Sequence, residues 1–486
     1  MSNKILTIDQ GTTSTRSILF NEKLDILEQC QCEYPLIYPK DGWVEIDPGV
    51  LLSSVNKTTS KFKDIPLSKV AITNQRETTI VWDRKTEKPI YNAIVWQDRR
   101  TSAYCDSIKS KEVEQLITSK TGLLLDPYFS ATKIRWILDN VDGALQKAKN
   151  GELCFGTVDT YLMFKLSNGK IFKTDYTNAS RTLLFNIKTL RWDQKLLDLF
   201  DIPISMMPEA VPSDDNFGDI NFSNNPSINA VMGDQHAALF GQNCLKAGQM
   251  KSTYGTGCFL MLNTGDKPIY STDGLLTTLA FHWNGDCHYA IEGSIYSAGT
   301  IVQWLRDGLK LIHESRDCEK YLDPNFQTNN VIFTPAFNGL GAPFWNSRIR
   351  ASFDGITRDT SKEDLITASL ASISYQTKEI VDCLLNIGIE INELKIDGGM
   401  SVNKWFQKHL ATTINKNVLI PSNTESTALG VTIMSLMNAE LSNVDIFNGI
   451  SFNKVEPDAY LKSYVDEDNK KWRNNLLKKL NPSPSS

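Results

Sequence analysis

The sequence lacks a long apolar run and an excess of positive charge. No stretch approaches the roughly 18 consecutive apolar residues of a membrane span, and residues 431–437 are interrupted by Thr432 and Ser435. The formal net charge is −5, from 51 Lys and Arg against 56 Asp and Glu. This balance argues against a nucleic-acid binder and against a basic membrane-surface protein. We therefore expect neither a membrane span nor a nucleic-acid partner.

The sequence also lacks a cysteine framework. Its nine cysteines are odd in number and include no Cys-x-x-Cys pair, so neither a set of disulfides nor a zinc site is expected. Cys30 and Cys32 fit the alternation of a strand. The first four residues, Met-Ser-Asn-Lys, lead directly into an apolar run, which predicts no signal peptide. Together these features predict a cytoplasmic protein with reduced thiols.

A polar turn between two apolar runs opens the chain. Residues 5–8 predict a buried strand, and residues 17–20 resume it after a turn. Gly11, hydroxyl side chains and Arg16 supply the close backbone and the donors that a polyphosphate needs. Asp9 would repel phosphate, so it makes sense beside a Mg²⁺ ion or an attacking hydroxyl. An ordinary hairpin explains the pattern equally well, and it is no Walker loop, because no Gly-Lys-Ser/Thr follows.

The same strand–turn–strand pattern returns in the second half of the chain. Residues 251–263 place a Gly-Thr-Gly turn between apolar runs, and residues 396–400 form a further glycine turn. Helices are predicted at three places: residues 297–311, 362–385 and 403–414. The length of 486 residues exceeds one ordinary core. We predict two lobes, residues 1–245 and 246–480, with a nucleotide in the cleft between them and a disordered tail at 481–486.

Two candidate substrate segments each follow a predicted strand. The adjacent Arg76 and Glu77 could clasp a polyhydroxylated molecule, since guanidinium donates and carboxylate accepts hydrogen bonds. A surface ion pair at a turn is the alternative. Trp96 follows the apolar residues 93–95 and could form an aromatic wall against a polyol, or simply belong to the core.

Asp234 is the candidate catalytic base. It follows a predicted strand and precedes the apolar residues 237–240. In phosphoryl transfer a carboxylate accepts the proton of the attacking hydroxyl. Capping of the following helix competes with this interpretation, and both roles could hold. His236 is interpreted as a packed neighbour rather than a ligand.

The order of these segments is more informative than any one of them. It resembles that of the FGGY carbohydrate kinases of the actin-like ATPase superfamily, from about Lys4 to Ala439. The most discriminating segments are residues 72–79, 93–101, 174–182 and 254–259, together with the family signatures at 128–140 and 351–371. Within the second signature, Ala371 replaces the acidic or amide residue that is usual there.

The resemblance implies a fold and an activity. The fold would be α/β, with two actin-like (ribonuclease H-like) lobes around a central nucleotide cleft. Within the family, the match is to the members that phosphorylate glycerol. It implies direct in-line transfer from ATP, with Mg²⁺, to give sn-glycerol 3-phosphate, the first step of glycerol catabolism. It also implies a homo-oligomer, dimer or tetramer, on which the residues themselves are silent.

The resemblance further implies a division of labour among the site residues. Asp234 would deprotonate the attacking hydroxyl, and Asp9 would hold Mg²⁺ through water. The glycerol hydroxyls would be bound by Arg76, Glu77, Tyr128, Asp234 and Gln235, with Trp96 and Phe259 flanking the carbon skeleton. The phosphates would be held by Thr12, Thr13, Ser14, Arg16 and Thr256, and the nucleotide site would be lined by Gly299, Gln303, Gly399 and Asn403.

Two departures from the family pattern bear on function. Met400 stands where a small residue is usual, so nucleotide affinity is expected to differ. Residues 221–229 lack the Gly-Gly-Thr-Arg loop through which some relatives bind fructose 1,6-bisphosphate, so that feedback is not expected. Two rival interpretations stay open: a related kinase for another polyol or sugar, and a non-catalytic nucleotide-dependent scaffold or sensor.

Overall fold

The computed structural model describes residues 4–423, 425–437, 447 and 449–481. Its N-terminal half alternates strands with short helices. The strands are β1 (Ile5–Gln10), β2 (Ser14–Phe20), β3 (Ile26–Glu33), β4 (Glu45–Ile46), β5 (Lys69–Asn74), β6 (Ile80–Asp83), β7 (Ala93–Ile94), β8 (Leu153–Gly156), β9 (Lys173–Asp175), β10 (Phe185–Asn186), β11 (Arg191–Trp192), β12 (Glu209–Val211), β13 (Gly218–Asp219) and β14 (Ser227–Gly233). The helices are α1 (Pro48–Thr59), α2 (Ser102–Ile108), α3 (Lys111–Thr121), α4 (Ser130–Asn140), α5 (Ala144–Lys149), α6 (Val158–Leu166), α7 (Tyr176–Ala179), α8 (Gln194–Leu199) and α9 (Asp234–Gly241).

The C-terminal half has longer strands and the longest helix. Its strands are β15 (Met250–Tyr254), β16 (Cys258–Gly265), β17 (Leu276–Trp283), β18 (Asp286–Ile295), β19 (Ile332–Thr334), β20 (Ser352–Asp354), β21 (Glu393–Asp397), β22 (Asn417–Pro421) and β23 (Phe452–Val455). Its helices are α10 (Gly299–Asp307), α11 (Lys362–Leu385), α12 (Lys404–Ile414), α13 (Ser426–Met437) and α14 (Lys462–Leu480). Short 3-10 helices occur at Ser60–Phe62, Ile204–Met206, Ser315–Tyr321 and Gly399–Val402.

The N-terminal lobe is built on a six-stranded sheet in the order β13-β14-β5-β1-β2-β3. Strands β1, β2 and β3 form an antiparallel meander, whereas β5 and β14 run parallel to β1. Asn74 is paired both with Gln10 and with Gly233, so β1, β5 and β14 end at one edge. The residues that follow these three ends therefore meet in space, which is where open α/β sheets bind ligands.

The C-terminal lobe repeats this topology. Its seven-stranded sheet has the order β17-β18-β16-β15-β21-β22-β23. Each adjacent pair among strands β15 to β18 is antiparallel, and β21 and β22 then run parallel to β15. The antiparallel strand β23 forms the edge of the sheet. The predicted two-lobed α/β fold is confirmed by this repetition.

The two lobes meet through α9 and α13. Helix α13 contacts β1, β5 and β14 of the first sheet, while α9 contacts β15, β16 and β17 of the second. The helices also contact each other, and Gly241 and Gly430 permit their close approach: a Cβ on Gly430 would lie 1.9 Å from the Ala237 carbonyl oxygen. A separate apolar cluster surrounds this junction.

Most predicted elements are confirmed, and one boundary was wrong. The helices predicted over 362–385 and 403–414 are present, with Asn403 as the cap of the second. The helix predicted over 297–311 spans only Gly299–Asp307. Its ends differ because Ala298 donates to the Thr256 carbonyl of the second hairpin and Lys310 has a positive φ of 56°.

The lobe division at residues 245 and 246 falls between α9 and β15 and stays our proposal. Of the tail predicted at 481–486, residues 482–486 lie outside the described residues. Within the described ranges, no helix is both long and apolar enough to cross a membrane.

Candidate active site

Three strand ends of the first sheet position the charged groups of the site. Asp9 lies near the end of β1, Arg76 and Glu77 follow β5, and Asp234 follows β14 as the first residue of α9. A hydrogen bond of 2.8 Å from the Gln75 amide to the Gln10 carbonyl continues the pairing past the end of β5. Charged side chains that are far apart in the sequence are thereby brought together at one edge of the first sheet.

Arg76 is the centre of this charge cluster. Its side chain is only 2% exposed, which excludes the surface ion pair considered from the sequence. The Nε atom lies 3.3 Å from Asp234 Oδ1 and 3.9 Å from Glu77 Oε1. The Nη1 atom donates at 2.5 Å to Glu292 Oε2 of the C-terminal lobe. The predicted pair is therefore part of a buried network that spans both lobes.

Two members of the network, Arg181 and Glu292, were missed by the sequence interpretation. Arg181 donates to Glu77 Oε1 at 2.6 Å and to Glu292 Oε1 at 2.8 Å. The sequence contained one signal for Glu292: it is the single carboxylate in the central part of an apolar strand, β18. A charge buried there requires a partner of opposite charge. Its two arginine partners hold the pKa of Glu292 below its usual value although burial opposes this.

Asp234, the predicted base, is the first residue of α9 and lies beside Arg76. Its side chain is 27% exposed, in contrast to its buried partner Arg76. Gly233, not Asp234, is the N-cap of α9, and the Asp234 carboxylate accepts a local hydrogen bond of 2.7 Å from the Gln235 amide. Burial raises the pKa of Asp234, and Arg76 partly opposes that rise. A raised pKa makes the carboxylate a stronger base.

Gln235 and His236 follow Asp234 in the first turn of α9. The Gln235 Oε1 atom accepts a hydrogen bond of 2.5 Å from Lys251 Nζ, and Lys251 lies on the second hairpin. Burial lowers the pKa of Lys251 to about 8. His236 is fully buried, and burial also lowers its pKa strongly, so it is a neutral neighbour of the arginines.

Three predicted aromatic residues form a wall beside the charges. The Trp96 ring packs edge to face against Tyr128 at 5.8 Å and against Phe259 at 5.6 Å between centroids. Trp96 Nε1 donates to Thr12 Oγ1 at 3.0 Å. The wall therefore combines both lobes and is joined directly to the first hairpin.

The predicted nucleotide residues line one cavity of about 420 Å³ in the C-terminal lobe. Met400 also lines it, and Asn403 uses its Oδ1 atom to cap α12 through the Phe406 amide. Gly398 has a φ of +87°, and a Cβ there would lie 2.5 Å from the Tyr254 carbonyl, so this turn requires glycine. The predicted members of the lining are Thr256, Gly299, Gln303, Gly399 and Asn403.

The predicted phosphate residues of the first hairpin lie outside that cavity lining. Thr12, Thr13 and the start of β2 form a turn closed by a 2.9 Å hydrogen bond from the Gly11 amide to the Ser14 carbonyl. Arg16 instead pairs with Glu425, at 2.6 Å between Nη1 and Oε1, at the start of α13. This contact joins the two lobes.

Asp9 fits the predicted role as a partner of Mg²⁺. Burial is the main cause that raises its pKa to about 7, and the nearby carboxylates of Glu425 and Asp234 add to the rise. Mg²⁺ needs only one or two carboxylates because water and substrate phosphates complete its shell. The described residues contain no cluster of three or more His, Cys, Asp or Glu side chains that could hold a metal ion.

Comparison with known proteins agrees with this geometry. Residues 4–241 match the N-terminal domain model of the FGGY family of carbohydrate kinases, and residues 250–439 match its C-terminal domain model. The chain belongs to the FGGY family of carbohydrate kinases. The division of the two models follows the two sheets.

The chain is similar in sequence to two glycerol kinases, and similar in fold to one of them and to a gluconate kinase. A glycerol kinase of Alteromonas mediterranea is 49% identical over 455 residues, covering 91% of this chain and 92% of its own. The crystal structure of Plasmodium falciparum glycerol kinase with ADP has a TM-score of 0.88 and 35% identity, and covers 99% of this chain and 98% of its own. A gluconate kinase of Lactobacillus acidophilus also has a TM-score of 0.88, at 20% identity and 99% coverage of both chains, so it shows the fold alone.

Proposed function

We propose that this FGGY kinase transfers the γ-phosphoryl group of ATP to glycerol and releases sn-glycerol 3-phosphate and ADP. The observation that carries the proposal is the position of Asp234: its partly exposed carboxylate lies 3.3 Å from the buried Arg76. The high identity to a chain named glycerol kinase supports the choice of glycerol.

In the proposed reaction Asp234 acts as the general base. The terminal hydroxyl of glycerol attacks the γ-phosphorus in line with the bond to the β,γ-bridging oxygen. That bond breaks as the new P–O bond forms, ADP leaves with its electron pair, and the hydroxyl proton passes to Asp234. Positioning and electrostatic stabilisation supply most of the acceleration in such transfers, so the arginine that orients Asp234 is part of the proposal.

Recognition of a three-carbon polyol would use both polar and apolar surfaces. Arg76 would donate to a hydroxyl oxygen, while Glu77 and Gln235 would accept or complete hydrogen bonds. Trp96 and Phe259, which are in contact, would cover the carbon skeleton. A site that pairs every hydroxyl strongly disfavours an analogue that lacks one, because buried polar groups are then left without partners.

The nucleotide would occupy the 420 Å³ cavity, with its phosphates directed toward the two hairpins. Thr256 and the residues 12–14 would donate to phosphate oxygens. Arg16 would do so once nucleotide competes with Glu425 for its guanidinium. Mg²⁺, held by Asp9 through water, would neutralise charge on the β- and γ-phosphates when it is bound.

The proposal includes two further properties: a cytoplasmic location, which rests on the cysteine content of the chain, and assembly into a dimer or tetramer, which rests on the family resemblance. Light scattering of the purified chain tests the second. A mass equal to one chain of 54.6 kDa would contradict it.

A substrate panel tests the function. Coupled assays of ADP release with ATP and glycerol, dihydroxyacetone, xylulose or gluconate should show the highest kcat/KM for glycerol. Faster turnover of xylulose or gluconate would assign the chain to another FGGY activity. Binding of ATP without any substrate-dependent ADP release would favour the non-catalytic scaffold or sensor.

A further inference from the structure

A buried carboxylate of the C-terminal lobe lies in the middle of the substrate-binding charges of the N-terminal lobe. Glu292 is on β18, and its side chain is 0% exposed, as is that of Arg181. Neither residue lines the nucleotide cavity. Burial of a charge is costly unless it is paired in good geometry, so this cluster needs an explanation beyond packing.

The two oxygens of Glu292 accept hydrogen bonds from two arginines. Oε2 accepts from Arg76 Nη1 at 2.5 Å, and Oε1 accepts from Arg181 Nη2 at 2.8 Å and, more weakly, from Arg76 Nη2 at 3.4 Å. Each arginine then holds a second carboxylate: Arg76 lies 3.3 Å from Asp234, and Arg181 donates to Glu77 at 2.6 Å. One carboxylate thus orients both guanidinium groups.

We propose that Glu292 is a positioning residue for substrate recognition, through which the C-terminal lobe assembles the polyol site of the N-terminal lobe. The inference rests on the proposed function, since it assigns Arg76 and Glu77 to the polyol. It adds that these two side chains have their binding geometry only while Glu292 of β18 is held against Arg76 and Arg181. A group that never touches substrate would therefore set substrate affinity.

The balance of charges in the buried network explains why Glu292 would affect substrate affinity. Glu77 and Glu292 balance the charges of Arg76 and Arg181, so Asp234, although it lies 3.3 Å from Arg76, is not required to neutralise either arginine. Without the charge of Glu292, Arg76 loses its nearest anionic partner, and its guanidinium is drawn toward the carboxylates of Glu77 and Asp234. The oxygens that should accept hydrogen bonds from hydroxyls are then occupied. Substrate affinity should fall, whereas the nucleotide cavity keeps all of its lining residues.

The test is Glu292→Gln, assayed with glycerol and ATP varied separately. We expect the KM for glycerol to rise about tenfold or more, since small displacements of positioning groups have large effects, and the KM for ATP to stay within about twofold. The matched control is Glu379→Gln on α11, because Glu379 is also a buried carboxylate, 2.9 Å from Arg473, outside this network. The control should change neither KM.

A second variant covers the case in which Glu292→Gln does not fold. The double variant Arg181→Gln with Glu292→Gln removes one charge of each sign and still deprives Arg76 of the negative charge that pairs with its Nη1 atom. It should show the same selective rise in the KM for glycerol with a cooperative thermal transition. A folded variant with an unchanged KM for glycerol, or with equal increases for both substrates, would overturn the proposal.

Failure of the proposed function is seen separately, in the wild-type enzyme. If wild type prefers another polyol, the substrate assignment is wrong, and the same comparison is made with the KM for that polyol. Calorimetric titration of each variant with the preferred substrate measures the same loss of affinity without turnover. Unchanged binding in that titration would contradict the positioning role.

Discussion

At the scale of single residues, Asp234 combines a partly exposed carboxylate with a buried partner, Arg76. Replacing it with Asn keeps the shape but removes the base. We expect Asp234→Asn to lower kcat by about 10²–10⁴-fold while the KM for glycerol changes little, because Arg76 and Glu77 are retained. Steady-state kinetics on both substrates measures this. Asp198→Asn, the same change at an exposed site, is the control. A near-normal kcat in Asp234→Asn would rule out Asp234 as the general base.

Lys133 is a residue whose protonation should be seen in stability. It is fully buried on α4 and donates to the Tyr128 carbonyl at 2.5 Å. Burial lowers its pKa from 10.5 to about 7. Above pH 7 the folded chain releases a proton that the unfolded chain keeps up to its pKa of 10.5. Folding stability should therefore rise with pH in this window.

The variant Lys133→Met should remove that rise. The difference in unfolding free energy between wild type and variant should grow in favour of wild type by up to about 1.4 kcal/mol per pH unit between pH 7 and 10. Urea unfolding at several pH values measures it. Lys149→Met, at an exposed lysine, should leave the pH dependence unchanged. If the unfolding free energies of wild type and Lys133→Met depended on pH in the same way, the lowered pKa of Lys133 would be contradicted.

Which residues could be predicted follows from their surroundings in the chain. Asp234, Arg76 and Thr256 stand in short polar segments after apolar runs, and such punctuation is visible in one sequence. Glu292 has no such context, and the Arg16–Glu425 contact joins residues 409 positions apart. Local pattern carries no information about which distant charge will neutralise a given side chain.

At the scale of elements, the junction of α9 and α13 depends on two glycines. A Cβ on Gly430 would lie 1.9 Å from the Ala237 carbonyl and 2.8 Å from the Gly241 amide. Backbone on both sides cannot give way without separating the helices. We expect Gly430→Ala to lower the unfolding free energy by about 1–3 kcal/mol, measured by urea denaturation. Gly449→Ala is the control, because an added Cβ there meets none of the described residues within 4 Å. Equal stability of the two variants would contradict the close packing.

The strands and long helices of this chain were predictable because their periodicity is local. The helix Lys362–Leu385 begins at a capping box formed by Ser361 and Asp364. The helix predicted over 297–311 was too long at both ends: its start is held by Thr256 of the turn between β15 and β16, and Lys310 beyond its end has a positive φ. A tertiary hydrogen bond decided the first boundary, and apolar spacing does not record such a bond.

At the scale of the whole molecule, the site is divided between two lobes. Arg76 and Trp96 belong to the first lobe, whereas Glu292, Phe259 and the nucleotide cavity belong to the second. Bringing both substrates together should therefore favour a more closed arrangement of the lobes. We expect the radius of gyration from small-angle X-ray scattering to decrease when glycerol and a non-hydrolysable ATP analogue are added together.

Each ligand added alone serves as the control for that measurement and should produce a smaller change. The buried Arg76–Glu292 contact already holds the substrate end of the cleft together. Closure should therefore be concentrated at the nucleotide end. Superimposable scattering curves with and without both ligands would contradict closure.

The sequence alone determined the α/β class, the paired hairpins and the chemistry of the strand ends, because these depend on apolar periodicity and on residues close together in the chain. It also carried the family resemblance that the comparisons confirm. Only the tertiary structure decided that Arg76 is buried between Asp234 and Glu292, and that Trp96 joins the first hairpin to the aromatic wall. Those contacts depend on how two sheets dock through α9 and α13, and docking is a property of assembled surfaces that no short segment encodes.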